Sequence, residues 1–560
     1  MIATKTQTEI RPRPYQTEAL DGILGRLQGN ISTLLVMATG LGKTIICALL
    51  ACKLMSRGRI MILAHREELI FQAWRKLKDV TGCEPDIEMG EYHTNSRALH
   101  RSAIVTSTVQ SQIAGMDGLG RMSKFDPNEF SLLIIDEAHH SAAQSYRRVI
   151  DYYRRNPDLK VLGVTATPDR ADEKKLGQIF ETVAYEYGIR EGVDNGWLVP
   201  IEQQSVYVNG LDYSSVRTTA GDLNGKDLAA VLEFEEALHG IASPTIELCG
   251  ERKALVFAAS LAQAERLTEI LNRHKPGSAK WVHGGTPKET RRGLFSAYAN
   301  KEFQYLVNVG VATEGFDDPS IEVVVMARPT RSRSLYAQMA GRGTRVLPDL
   351  IEDMDGPEER KAAIRASAKP SLEIIDFVGN CGRHRLVTSS DILGGNLDDA
   401  IVDRAKKNAE VKSADTGKPV DVIDELELAE QQLERERREA IEAAHRKSLK
   451  VRAKFSTAKV NPFNVYNIQP WRERAWHKDR PPSEKQNAML DRNGIDSSGL
   501  TFTHANQLIK KIIENQERKL CTYKQAKVLR RFGYDPQEIK FAEASELITA
   551  IANNGWRRPA

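Results

Sequence analysis

The chain has 560 residues, with 79 Lys+Arg against 75 Asp+Glu, so its formal charge is only +4. At 41% hydrophobic and 28% charged it can fill cores, which excludes a wholly disordered chain, and this length predicts about three or four domains. No apolar run approaches the ~18–20 residues of a membrane span, and Met1–Ile10 lacks the apolar centre of a signal peptide, so no membrane partner is expected. The 6 cysteines form no C-x-x-C pair, which argues against a disulfide framework and a structural zinc site and points to the cytoplasm.

In chain order, apolar runs at Thr33–Met37, Ile60–Ala64, Ala103–Thr106, Leu132–Ile135 and Val161–Thr165 alternate with amphipathic helical stretches. Runs apolar throughout, with helices between, predict buried strands of a parallel sheet. A polar stretch from Glu202 to Pro244 interrupts them. The pattern resumes at Ala254–Phe257, Lys280–His283, Tyr305–Val309, Val323–Met326 and Glu373–Ile375. The expectation is α/β, with two tandem doubly wound parallel-sheet domains at 1–201 and 246–399 joined by a segment at 202–245.

Two motifs in the first domain carry chemistry. The strand ending at Met37 runs into Ala38-Thr39-Gly40-Leu41-Gly42-Lys43-Thr44 and a long apolar helix. Glycines there let backbone N–H groups close on phosphate oxygens, with Lys43 reaching the terminal phosphates and Thr44 ligating Mg²⁺. This predicts ATP and Mg²⁺ as cofactors. Asp136-Glu137-Ala138-His139 follows the strand Leu132–Ile135, where Asp136 can hold Mg²⁺ and Glu137 can orient the attacking water.

With these residues in view, the chain resembles a superfamily 2 DEAH-type helicase or translocase, near the XPB-like, RadD-like and restriction-translocase motors. The resemblance covers residues 11–390 and implies RecA-like domains. Arg13-Pro14-Tyr15-Gln16 resembles the adenine-reading motif, implying that Arg13 and Gln16 join Thr39, Gly40, Leu41 and Gly42 in binding ATP. His65, Arg66, Thr108 and Gln110, with Thr313 from the second domain, resemble strand-contacting positions. Thr165-Ala166-Thr167 resembles the segment linking nucleotide state to strand state, with His139 beside it. Gly315 and Asp317 fall at the interdomain cleft, and Gln338 leads into Arg342 and Arg345, which the resemblance makes arginine fingers. The implied activity is a nucleic-acid-dependent ATPase acting as a DNA helicase or translocase in repair, recombination or replication. A restriction-assembly motor, an annealing translocase and an RNA helicase remain alternatives.

Beyond Asp399 the composition shifts. Asp424–Arg452 predicts a long exposed helix, and Val460–Pro482 reads as a Pro- and Trp-containing linker, so that 400–482 connects to a last domain at 483–560. That domain repeats itself at an offset of 39 residues: Lys485-Gln486, Leu490, Gly494, Asp496 and Phe502 recur as Lys524-Gln525, Leu529, Gly533, Asp535 and Phe541. Two stacked helix–turn–helix units are expected, serving either nucleic acid or a protein partner.

Overall fold

The computed structural model describes residues 11–94, 101–115, 120–166, 176–219, 221–312, 316–380, 386–395, 397–448, 461–473, 480–554, 556 and 558. Thr167, Thr313, Gly315 and Trp476 lie outside the described residues. The chain divides into two units, one of 1–395 with 405–425, the other of 396–404 with 426–560.

The first unit contains two seven-stranded sheets. In the first lobe the strands are β1 Ser32–Met37, β2 Arg59–Ala64, β3 Asp86–Glu88, β4 Ile104–Thr108, β5 Phe130–Ile135, β6 Lys160–Thr165 and β7 Thr182–Tyr187. They lie in the order β3-β4-β2-β5-β6-β1-β7, with every pairing parallel. The apolar runs fill this interior: Leu34, Leu35, Ile60, Leu63, Ile134 and Val161 are all buried. Parallel neighbours align every strand's C-terminal end along one edge, and both motifs of the first lobe leave from that edge.

The second lobe uses β8 Ile201–Asp212, β11 Ala254–Phe257, β12 Ala279–His283, β13 Tyr305–Val309, β14 Val323–Met326, β15 Leu372–Asn380 and β16 Val420–Asp421, with a small hairpin β9 Thr218–Thr219 and β10 Asp222–Leu223 apart from the sheet. The order is β12-β13-β11-β14-β15-β8-β16, parallel except for the antiparallel edge strand β16. Here the expected boundaries need correction. Residues from Ile201 do not connect the domains; β8 pairs along β15 inside the second sheet. Its polar sequence hid it, because Gln203 and Gln204 are buried with their amides satisfied. Gln204 Nε2 donates to the Gly417 carbonyl at 3.0 Å, and Gln203 Oε1 accepts from Ser389 N at 3.2 Å.

The second unit is helical. Helix α1 Glu484–Arg492 with α2 Phe502–Glu517, and α3 Tyr523–Arg531 with α4 Phe541–Asn553, form the two repeats. Each opens with a capping box, Ser483 with Gln486 and Thr522 with Gln525. Each of these glutamines also reaches the start of the following helix: Gln486 Nε2 donates to the Phe502 carbonyl and Asn506, Gln525 Nε2 to the Phe541 carbonyl and Ser545. The turns repeat too, with Ile495 N on the Leu490 carbonyl and Tyr534 N on that of Leu529.

The supposed linker is part of this unit. Phe463, Val465 and Tyr466 share one core with Leu490, Leu508, Leu529 and Ile551. Trp471 N donates to Gln507 Oε1 at 2.8 Å, which pins that segment on α2. The preceding helix Val422–Ser448 is also anchored, since Arg437 binds Asn464 and the Ile468 carbonyl.

Candidate nucleotide site

β1 delivers its chain into a loop whose Gly40 (φ +91°) and Gly42 (φ +81°) occupy the left-handed region that other residues avoid. Gly42 caps the helix Lys43–Leu54, so unpaired N–H groups of its first turn face the loop. Lys43 Nζ rests on the Met37 carbonyl at 3.2 Å. Burial lowers its pKa, opposed by Glu137 and Asp136. Leu41 is fixed from outside: its carbonyl accepts from Tyr15 Oη at 3.0 Å and from Gln16 Nε2 at 3.1 Å.

The acidic pair leaves the end of β5. Glu137 stands at φ +49°, ψ +52°, a conformation that costs a non-glycine residue roughly 1 kcal/mol or more and recurs at functional sites. Burial, then the neighbouring Glu137 carboxylate, raises Asp136 to about 6. Glu137 Oε2 is buried and makes no hydrogen bond, although His139 Nδ1 lies 3.4 Å away. His139 Nδ1 is also 3.3 Å from Thr165 Oγ1, which ties the acidic motif to the end of β6.

No group of three or more His, Cys, Asp or Glu among the described residues forms a metal cluster. The donors fit Mg²⁺ nonetheless. This ion takes one or two carboxylates and completes its shell with water and phosphate, and a buried carboxylate pair with an unsatisfied oxygen supplies that need.

The second lobe closes on this loop. A Cβ at Gly341 would sit 2.7 Å from Thr39 Cβ, and one at Gly40 would meet Arg345 Cγ at 3.3 Å, so the segment after Gln338 packs on the glycine loop that follows β1. Arg342 Nη1 donates to the Phe316 carbonyl at 2.7 Å. Arg345 pairs with Asp317. Gln338 is buried.

Strand-contacting candidates fare unevenly. Thr108 is buried, and its hydroxyl caps the next turn, donating to Ser111 Oγ at 2.8 Å and accepting from Ser111 N at 3.2 Å; Gln110 is exposed. Arg66 donates to His65 at 3.3 Å and to the Gly310 carbonyl of the other lobe at 3.1 Å. Glu67–Lys288 and Glu68–Arg291 ion pairs add to that bridge.

Sequence reasoning missed an aromatic cluster beside the adenine motif. Tyr15 stacks on Tyr187 at 4.9 Å, and Trp197 lies between Arg13 at 4.8 Å and Arg360 at 3.7 Å. It also missed Lys369, buried with its amine donating to the Arg345 and Pro319 carbonyls at 2.8 and 2.7 Å. Arg13 offered a cation without naming its ring, because the aromatics come from β7 and the chain before β8, far away in sequence.

A glycine loop on one parallel-sheet lobe, covered by the arginine-bearing segment after Gln338 of a second, is the arrangement expected of a two-lobed nucleotide site. Residues 9–170 match the family of the type III restriction enzyme res subunit, and residues 242–346 match the helicase conserved C-terminal domain. The chain is 30% identical to Saccharomyces cerevisiae IRC3, which carries an ATP-dependent helicase name, over 70% of this chain and 55% of that protein. It is 30% identical to a Halobacterium salinarum protein named as a DNA 3'-5' helicase, Rad25, over 60% of this chain and 52% of that one. The Escherichia coli type I restriction enzyme EcoAI endonuclease subunit is 26% identical over 60% of this chain and 44% of its own length. The chain thus spans about half the length of these curated relatives. Its two lobes are thus similar to the paired ATPase domains of superfamily 2 helicases and restriction translocases.

Proposed function

We propose that this protein hydrolyses ATP to move along a nucleic-acid strand, most readily DNA, as a helicase or translocase. The observation that supports this reading is the packing of Gly341 and Arg345 onto Thr39 and Gly40, as a nucleotide site shared by two lobes requires. Such a site works only when the lobes are together, so hydrolysis and interlobe movement become one cycle.

Thr44 and Asp136 would hold Mg²⁺, which would neutralise phosphate charge there. Lys43 and the loop amides bind the phosphates. Glu137 orients the water, and its missing hydrogen-bond partner supports that role. Arg342 and Arg345 supply charge where the leaving phosphate develops it. Arg13 and Gln16 would read the base, with the Tyr15–Tyr187 stack beside them. His139 and Thr165 would pass nucleotide state toward the strand, which His65, Arg66 and Gln110 would touch.

The names of the relatives favour DNA and allow two settings, a lone repair or recombination helicase and the motor of a restriction assembly. Thiols without disulfides at Cys47, Cys52, Cys83, Cys249 and Cys521 suit a reducing compartment such as the cytoplasm, and among the described residues no helix is long and apolar enough to cross a membrane. The test is ATP hydrolysis with single-stranded DNA, duplex DNA, forked DNA and RNA side by side. Stimulation by at least one DNA form is expected. A rate indifferent to every nucleic acid would contradict the proposal, and strand displacement from the fork separates helicase from translocase.

A further inference from the structure

The two C-terminal repeats act as an internal control on each other. Positions identical in both, and buried, serve the fold: Leu490 and Leu529, Ala505 and Ala544, Ile512 and Ile551 lie in one core. Identical positions exposed in both are few: Lys485/Lys524, Arg492/Arg531, Gly494/Gly533 and Asp496/Asp535. The glycines have φ +77° and +80° and make the turns. The aspartates fix the following loop, accepting from Ser498 N at 2.9 Å and Gln537 N at 3.4 Å. The fold therefore accounts for Gly and Asp.

It does not account for Lys and Arg. None of the four makes a hydrogen bond or ion pair among the described residues. A lysine in the first turn opposes the helix dipole, so Lys485 and Lys524 are retained against local stability. Their exposed neighbours diverge, with Ala488 against Lys527 and Lys510 against Thr549. Three other cations of this unit are engaged, Lys511 with Glu514, Arg518 with Glu538 and Arg530 on the Val465 carbonyl, whereas the exposed Lys519 and Lys527 are not duplicated between the repeats. Within each helix the Lys and Arg are seven residues apart, on one face and roughly 10 Å along the axis. Lys524 lies over the first repeat's turn, its Cε 2.8 Å from where a Gly494 Cβ would stand.

We propose that Lys485 and Arg492, with Lys524 and Arg531, form a duplicated cationic track that holds the phosphodiester backbone of a nucleic acid. The charge is complementary, the side chains are unengaged, and the duplication gives equivalent grips suited to a polymer that repeats along its length. This rests on the nucleic-acid reading above and adds a second binding surface to it.

The experiment measures Kd against salt for the full chain on single-stranded DNA, duplex DNA and RNA. It compares wild type, Lys485→Gln/Arg492→Gln, Lys524→Gln/Arg531→Gln, and the quadruple variant. Each pair should lower the slope of log Kd against log salt by about 1.4 on single strands or about 1.8 on duplex. The two pairs should act equally, and the unfolding midpoint should not move. A control, Lys511→Gln/Arg518→Gln, removes engaged cations and should leave the slope near wild type. An unchanged slope in the quadruple variant, or an equal loss in the control, overturns the track while leaving the motor reading intact. A wild-type chain that binds none of the probes contradicts both.

Discussion

The two-lobed unit and the repeat unit use their sequences in opposite ways. In the two-lobed unit, the acidic residues assigned to chemistry sit at a strand end and are held in costly states, Glu137 at positive φ and Asp136 pushed up to about 6, and Lys369 on the Arg345 carbonyl is desolvated. In the repeats, the recurring residues are mostly those a short helical hairpin needs, namely a cap, a leucine, a turn glycine and an aspartate. Strain and desolvation thus collect where charge must be handled, whereas repetition collects where a fold must be rebuilt.

Substitutions should separate the two regimes. Glu137→Gln, which keeps shape and packing, should slow ATP turnover by about 10²–10⁴-fold while nucleotide still binds. Pre-steady-state binding and hydrolysis measured on one sample check this, and a variant with wild-type turnover would remove Glu137 from the mechanism.

Lys369 tests whether desolvation in the two-lobed unit costs stability. Burial depresses its pKa to about 7 from an ordinary 10.5. Between those values the unfolded chain holds a proton that the folded chain does not, so stability should rise with pH, by at most about 1.4 kcal/mol per unit. The neutral amine still has two N–H groups for its two carbonyl partners. In Lys369→Met this rise should be absent from denaturant unfolding run from pH 7 to 10.

The repeats predict smaller effects on stability and none on chemistry. Gly494→Ala and Gly533→Ala should each cost about 1–2 kcal/mol, because both glycines are left-handed. Gln486→Ala and Gln525→Ala should each cost about 1 kcal/mol, through the same lost capping box. Unequal losses within either pair, by the same denaturant titration, would show that the repeats do not share one construction.

How much of this was legible beforehand follows the same division. Strands apolar throughout, such as Tyr305–Val309 and Val323–Met326, could be read from the sequence because a buried parallel strand has no polar face to disguise it. β8 could not, since its glutamines are buried and satisfied by partners distant in sequence. The glycine loop after β1 and the acidic segment after β5 are local, so their places at strand ends were readable. The Arg13–Trp197–Arg360 stack and the Lys369 contacts are tertiary and were not. Thr108 looked available to a strand, yet its hydroxyl caps a turn. In the repeats the 39-residue offset was visible, but which cations stay free depends on acidic partners that only the folded unit brings close.

The central claim is that hydrolysis needs the second lobe's arginine on the first lobe's phosphate loop. Its most direct test is ATP binding and hydrolysis by Arg342→Ala in the full chain, with saturating single-stranded DNA. The account predicts near-wild-type nucleotide affinity and turnover lower by about 10³-fold or more. Turnover within a few-fold of wild type would contradict it.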